Sequence, residues 1–474
     1  MDQEHDSATN PVSINSELAR RVQEELEQNV FLCYQCVKCT SGCPVGEFLD
    51  WQPNQIMRAI QLGQEDVALE SQTPWLCASC QTCTTRCPQG LDVAGIMEFL
   101  TREAVGRGIE PPVPEVDHFN RAFMREVRLW GRAYEPGLMA EMTLRNPQGL
   151  REDMGLYLRM LKKRKVSFMP SIKRPSRKVK PVSGAADALA YYPGCSLHST
   201  SSEFNKSAQA VCSALDINLI EPDDWLCCGS SAAHRTDPDE AIRLPMENLA
   251  LIEQSGFTEV AMPCAACFNR HKVAQFEIRH DSRHKDEVDQ AIGYDYQDKV
   301  KVSTLTQAIL NHVGVDGVAE KVKKPLEGLR IVPYYGCLLT RPPQVTEAEN
   351  PENPTDMDRL LEGLGAEVVD WSYKTSCCGA AHSLTRPDIV IELSSDLIGH
   401  ARQAGADVIA VACPLCHTNL DARQFQMNID TPMPVLFFTQ LMAIALDLPL
   451  KFAALEKNLT DQRPLLREKG FIET

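Results

Sequence analysis

The 474 residues contain no run approaching the roughly 20 consecutive apolar residues that a membrane span requires. The longest uncharged stretch, 431–446, is 16 residues long and includes Pro432, Pro434 and Gln440. A buried helix over Val435 to Leu446 is therefore expected, with any membrane attachment made through a partner. Positive charge is also scarce: 48 Lys and Arg face 64 Asp and Glu, a formal net charge of −16, which argues against a chain built to wrap nucleic acid. Neither a G-x-G-x-x-G nor a P-loop sequence is present, so no flavin or nucleotide is expected by those routes. The opening MDQEHDSATN lacks the basic and apolar regions of a secretory signal, which points to a cytoplasmic, reducing compartment. What the chain has in quantity is cysteine, 19 residues in clusters. In a reducing compartment these read as thiolate ligands and not as disulfides.

The length implies two or three domains, and 24% charged with 43% hydrophobic residues is ordinary globular composition. In the first 110 residues, Ile14, Leu18, Val22 and Leu26 recur at four-residue spacing, and Val93, Met97 and Leu100 form a second stripe. Short helices separated by cysteine loops follow from this. Residues 111–160 are rich in helix formers and carry no recognisable chemistry. Between Lys162 and Lys180 there are nine Lys or Arg residues, no acid, and Pro170 and Pro175, which reads as an exposed tether or as a docking strip for an acidic partner.

After this strip the chain repeats itself. ALAYYPGCSLHST at 188–200 resembles LRIVPYYGCLLTR at 329–341, DWLCCGSSAAHR at 224–235 resembles TSCCGAAHSLTR at 375–386, and EVAMPCAACFNRH at 259–271 resembles DVIAVACPLCHTN at 407–419. STLTQAI at 303–309 has a counterpart in FFTQLMAI at 437–444. Offsets of 133 to 150 residues describe a duplicated domain and not a solenoid. The β-rich runs LAYYP, EVAMP, RIVPYY and DVIAVA lead directly into cysteines, which places those cysteines at the carboxyl ends of strands in α/β units, where such sheets hold ligands.

Cys33, Cys36, Cys39 and Cys43 form C-x2-C-x2-C-x3-C before Pro44, and Cys77, Cys80, Cys83 and Cys87 repeat the spacing before Pro88. Two-residue gaps let three thiolates of one loop converge on a [4Fe-4S] cubane, and the fourth of each run serves the other cluster. One cubane is thus expected on Cys33, Cys36, Cys39 and Cys87, the other on Cys77, Cys80, Cys83 and Cys43. Zinc is the alternative, but its tetrahedral sites usually take two pairs of ligands.

The duplicated region supplies Cys195, Cys227, Cys228, Cys264 and Cys267, then Cys337, Cys377, Cys378, Cys413 and Cys416. Five thiols exceed the four that a zinc ion or a cubane uses. A zinc site with a spare thiol and a redox-active vicinal disulfide are the alternatives. For adjacent cysteines to share a site the chain must turn tightly, which Gly229 and Gly379 permit.

These two C-C-G constellations resemble the B-type subunit of heterodisulfide reductase, and CYQCVKCTSGCPVG with WLCASCQTCTTRCPQG resembles its C-type subunit. The fused order resembles the D-type subunit of the membrane-associated form. The resemblance covers about residues 30–110 and 188–450. It implies an α+β chain: an N-terminal α-helical ferredoxin-like domain with two cubanes (1–160), a basic linker (161–186) and two α/β CCG domains (187–325 and 326–474). It further implies two noncubane [4Fe-4S] clusters on the ten duplicated cysteines, facing each other across a substrate pocket and reducing or forming a thiol-derived disulfide such as a heterodisulfide. The implied partner is an A-type flavin and iron–sulfur protein in an electron-bifurcating complex, or a membrane b-type cytochrome. The other function carried by the same architecture is electron transfer within a flavin-linked glycolate, lactate or glycerol-3-phosphate dehydrogenase, where the motifs are often incomplete. A third, a zinc-stabilised interaction protein, would be colourless.

His234 and His382 follow the two C-C-G motifs and are candidates for proton delivery or for a hydrogen bond to cluster sulfide, or are structural. Arg341 is a candidate for an anionic substrate group or for a structural ion pair, and His417, beside Cys416, has the same open status. Cys212 lies outside every motif and reads as a buried structural cysteine.

Overall fold

Short helices and cysteine loops alternate through the first hundred residues of the computed structural model, which describes residues 16–473 except 146, 167–168, 174–178 and 430. The helix Glu17–Leu26 starts at Ser16, whose side chain accepts from the Ala19 N–H, and it buries Leu18 and Val22. Ile14, the first residue of that stripe, lies outside the described residues. Asp92 caps the helix Val93–Gly106 by accepting from the Gly95 N–H, and the Val93, Met97 and Leu100 face goes inward. These two faces enclose Ile56 and Ile60 of the helix Pro53–Leu62, and Cys33, Cys77, Cys83 and Cys87 pack on the outside of that core. Three further helices follow at Pro114–Trp130, Glu135–Arg145 and Pro147–Lys162.

The duplicated region forms two parallel sheets of four strands. β1 (Leu189–Tyr191), β2 (Leu219–Ile220), β3 (Glu259–Met262) and β4 (Lys301–Thr304) take the order β2-β1-β3-β4. β5 (Arg330–Tyr334), β6 (Glu367–Val368), β7 (Val408–Val411) and β8 (Val435–Phe437) take the order β6-β5-β7-β8. The strand order reverses between β1 and β3, and again between β5 and β7. This is the switch point at which open α/β sheets form a crevice beyond their carboxyl ends. Cys195 and Cys264 follow β1 and β3; Cys337 and Cys413 follow β5 and β7. The structure is therefore mixed α/β, with a helical N-terminal region and two parallel-sheet regions.

Two expectations change. Val435 to Leu446 is not one helix: Val435–Phe437 is β8, paired with Ile409–Val411, and the helix spans Phe438–Ala445. A strand edge waiting beside β7 outweighs the helical pattern, as it does in the first copy at β4 and Leu305–His312. The basic strip is tied down at its start, whereas Met169 and Ile172 further along it are exposed. Lys165 is 1% exposed and paired with Glu203, itself 0% exposed. Lys163 donates to Glu456 O at 2.6 Å and Lys457 to Arg164 O at 2.7 Å. Residues 167, 168 and 174–178 of the strip lie outside the described residues. The two sheets do not have separate cores: one hydrophobic cluster runs from Leu189 through Phe437 to Ile472, with Phe204 stacked on Phe437 at 4.1 Å.

Candidate metal centres

The second cysteine run is the better enclosed of the first two. Cys43, Cys77, Cys80 and Cys83 line one apolar cavity together with Pro44 and Ala94. Burial pushes the Cys43 thiol up to about 12, with Cys80 and Cys77 adding to the shift, and pushes Cys77 up to about 11. In the first run Cys39 is buried with Cys33 as an electrostatic neighbour, while Cys36 is exposed. Cys87 packs on the same core as Cys33 and Cys39.

Each C-C-G set closes on itself. Cys227 contacts Cys195 and Cys228, and Cys228 Sγ is 3.5 Å from Cys267 Sγ. In the second copy Cys377 contacts Cys337, and Cys378 Sγ is 3.6 Å from Cys416 Sγ. The two sets meet where Cys264 contacts Cys413. The second set also meets the N-terminal unit, through Cys377 and Cys80.

Local sequence explains the tight approach. Gly229 and Gly379 have φ of 80° and 75°, so the turn after each cysteine pair uses a conformation that L side chains rarely adopt. Gly194 and Gly336 precede the first cysteine of each set, and a Cβ there would come within 2.8 Å of Cys267 Sγ and 2.9 Å of Cys416 Sγ. Three residues before each of those cysteines a buried tyrosine ties the set together: Tyr192 donates to Leu226 O at 2.5 Å and Tyr334 to Ser376 O at 2.7 Å. Each accepting carbonyl belongs to the residue just before the cysteine pair.

Among the described residues, no three His, Cys, Asp or Glu side chains are gathered as tightly as one metal ion requires. The donor set does fit iron–sulfur clusters: thiols alone, apolar walls and glycines cradling sulfur. Burial makes Cys43, Cys77 and Cys83 resist ionisation, and coordination to iron, which deprotonates a ligating thiol, removes that cost. Cys212 is pushed up to about 12 by burial alone and joins no set.

His234, His382 and Arg341 each meet the N-terminal unit at its seam with the CCG domains. His382 Nε2 bonds to Leu76 O at 2.9 Å, and burial, then the nearby Arg235 charge, hold the ring down at about 4, so it is neutral and Nε2 donates. His234 Nδ1 lies 2.9 Å from Glu98 Oε2, outside hydrogen-bonding angles. Arg102 holds the His234 carbonyl at 2.5 Å. Burial favours the neutral forms of both Glu98 and His234. For Glu98 the charges of His234, Arg270 and Arg235 outweigh burial, holding its carboxyl far below its usual range; for His234 burial wins and lowers the ring. Arg341 donates to Thr82 Oγ1, Thr375 O, Thr375 Oγ1 and Glu352, all within 2.9 Å. His417 is stacked on Phe437 and bonded to Val435 O, part of the core.

Arg235 and Gly131 escaped the sequence reading. Arg235 donates to Trp75 O, Cys77 O and Ser79 Oγ, which fixes the loop bearing the second cysteine run. Gly131 O accepts from the Cys227 N–H at 2.9 Å, and Arg132 lies 3.3 Å over the Trp225 ring. Arg235 follows His234 directly, which was a local signal. Gly131 had none, because its partner is 96 positions away.

Residues 189–270 and 331–421 match the cysteine-rich CCG domain family, and 32–92 match the 4Fe-4S dicluster domain. The chain is 31% identical over 284 residues to the 8-methylmenaquinol:fumarate reductase membrane anchor subunit of Wolinella succinogenes, covering 58% of this chain and 98% of that protein. It is 25% identical over 280 residues to the B-type subunit of the ferredoxin/F420H2-dependent CoB-CoM heterodisulfide reductase of Methanosarcina acetivorans, covering 57% and 93%. It is 23% identical over 287 residues to the D-type subunit of the dihydromethanophenazine:CoB–CoM heterodisulfide reductase of the same organism, covering 55% of this chain and 60% of that one. Among solved structures, a hypothetical protein from Helicobacter pylori shares the fold alone: TM-score 0.50 and 10% identity over 69% of this chain and 61% of that one. No helix among the described residues is long and apolar enough to cross a membrane.

Proposed function

Because the chain belongs to the heterodisulfide reductase-like iron–sulfur proteins, which pair CCG domains with a 4Fe-4S dicluster domain, we propose that it is the subunit of an oxidoreductase complex that reduces or forms a thiol-derived disulfide. The observation that carries this reading is that two complete five-thiol sets meet at Cys264 and Cys413. Cys195, Cys227, Cys228, Cys264 and Cys267 would hold one noncubane cluster, and Cys337, Cys377, Cys378, Cys413 and Cys416 the other. Cys33, Cys36, Cys39 and Cys87 would hold one cubane; Cys43, Cys77, Cys80 and Cys83 the second. Bound there, the clusters supply one-electron chemistry at iron. The chain's own residues set the geometry: Tyr192 and Tyr334 fix the cysteine pairs, and Arg235, His382 and Arg341 clamp the 75–82 loop against both CCG domains. The protein would work with a flavin-bearing electron-donor protein or a membrane cytochrome.

A second reading, a relay between a quinol and a flavin-bearing dehydrogenase, is favoured by the 31% identity to the fumarate reductase membrane anchor. One assay separates the two. The isolated anaerobic protein, given reduced viologen, reduces low-molecular-weight disulfides under the first reading, and Cys195→Ser or Cys337→Ser abolishes this. Failure with every disulfide, together with re-oxidation by a quinone, establishes the relay instead. About sixteen irons per chain, four for each of four clusters, are expected in either case.

A further inference from the structure

Residues 111–160 carry no motif, yet one carboxyl there reaches the loop that follows Cys195. Glu135, at the start of the helix Glu135–Arg145, accepts from Thr200 Oγ1 at 3.1 Å through Oε1, and its Oε2 is buried with no hydrogen-bond partner among the described residues. Ser199 adjoins this carboxyl as one of the polar groups that lower it, while Ser199 Oγ donates to Cys195 O at 3.3 Å. One hydroxyl has one proton. While Glu135 is ionised, Ser199 can donate to it and leave Cys195 O; once Glu135 is protonated, it donates to Ser199, which is then free to donate to Cys195 O. A turn of the Ser199 hydroxyl away from Cys195 O would thus link the carboxyl to the cysteine loop.

We propose that Glu135 is a proton acceptor coupled to reduction at the first CCG site, taking up one proton from solvent for one electron delivered to the Cys195 set. Resting on the disulfide reading, this supplies a balance that the reaction needs: R–S–S–R′ + 2 e⁻ + 2 H⁺ gives R–SH + R′–SH, with Glu135 holding one of the two protons and reduced viologen supplying the electrons. Burial pushes the Glu135 carboxyl up to about 7, against the neighbouring Ser199 and Thr200 hydroxyls and the charge of Lys165. Negative charge arriving nearby raises it further. The other charged groups around the loop have partners of their own: His198 is paired with Glu221 at 2.8 Å, Arg132 is stacked on Trp225, and Glu126 accepts from the Tyr134 N–H at 2.9 Å. In the second copy the position of Ser199 is taken by Arg341, which is bound to Glu352 and Thr375. The coupling is therefore confined to the first site.

The test is a redox titration of the full-length holoprotein followed by EPR on either side of pH 7, with infrared difference spectra of the oxidised and reduced forms. In the wild type, the midpoint of one CCG signal falls as pH rises through 7 and a protonated-carboxyl band grows on reduction. Glu135→Gln flattens that midpoint and removes the band, Glu135→Asp retains a pH dependence, and Glu126→Gln leaves it intact. A pH-independent midpoint in the wild type, or an unchanged dependence in Glu135→Gln, overturns the role of Glu135. A Cys195→Ser protein with undiminished iron overturns the cluster reading instead.

Discussion

Replacing Arg341 with methionine decides between a residue that clamps the seam and one that binds substrate. Its side chain is 2% exposed and every contact is internal. Methionine fills most of the volume but leaves Thr375 O without its donor, at a cost of about 1–3 kcal/mol for a buried unpaired acceptor. The Thr82 and Thr375 hydroxyls can turn to other partners, Thr82 toward Cys80 at 3.3 Å. Glu352 is 40% exposed, keeps its two bonds from Arg86, and can rehydrate. Two lost hydroxyl bonds, at about 1 kcal/mol each, are partly offset by no longer burying a guanidinium whose Nε has no partner among the described residues. The net is about 2–3 kcal/mol on the contact between the 75–82 loop and the second CCG domain. A multidomain cluster protein does not unfold in two states, so the readout is native-state hydrogen exchange of amides 75–82. Exchange there should accelerate about 30- to 150-fold, since each 1.36 kcal/mol is tenfold. Arg341→Lys should lose most of the same protection, because one ammonium cannot reproduce a planar fork across four acceptors. Unchanged protection in Arg341→Met, with a raised KM for anionic disulfides only and rescue by lysine, would refute the clamp and make Arg341 a substrate residue.

Other perturbations have defined outcomes. Tyr334→Phe leaves Ser376 O without the bond it receives and should cost about 1–3 kcal/mol, whereas Tyr192→Phe should cost less because Asn248 also donates to Leu226 O at 3.1 Å; thermal melts of the two proteins compare them directly. Lys165→Met strands the buried Glu203 carboxylate and should cost about 3–5 kcal/mol, with Lys165→Met/Glu203→Leu recovering most of it; equal melting temperatures for the single and double variants would contradict this. Glu126 is pushed up by burial to about 7, above its unfolded value, so the fold favours its neutral form. That contribution is complete below the unfolded value of about 4.3 and is lost as pH rises through the folded value, so Glu126→Gln should weaken the fall in melting temperature from acid to neutral pH.

Much of the architecture was legible because it is written in local pattern. Strands ending in cysteine, helix stripes at Leu18 and Val93, and two copies of one constellation need only neighbours in sequence to be read. The strands β2, β4, β6 and β8 were missed: runs of two to four residues, some with a single apolar side chain, become a strand only when a parallel edge is present to accept them. The roles of His234, His382 and Arg341 were left open for a similar reason, since a polar residue beside a motif is defined by what faces it, and Leu76, Glu98 and Thr82 face them from another unit.

The amino-acid sequence by itself determined the donor chemistry. Eighteen of 19 cysteines fall in spaced sets, and thiol spacing along a turning loop limits what those sets can bind. Tertiary structure alone decided how the sets communicate: Cys80 against Cys377, Cys264 against Cys413, and Glu135 reaching the Cys195 loop. Those contacts join residues 65 to 297 positions apart. No periodicity records such pairings, because they arise only when separately folded faces bury their apolar surface against one another.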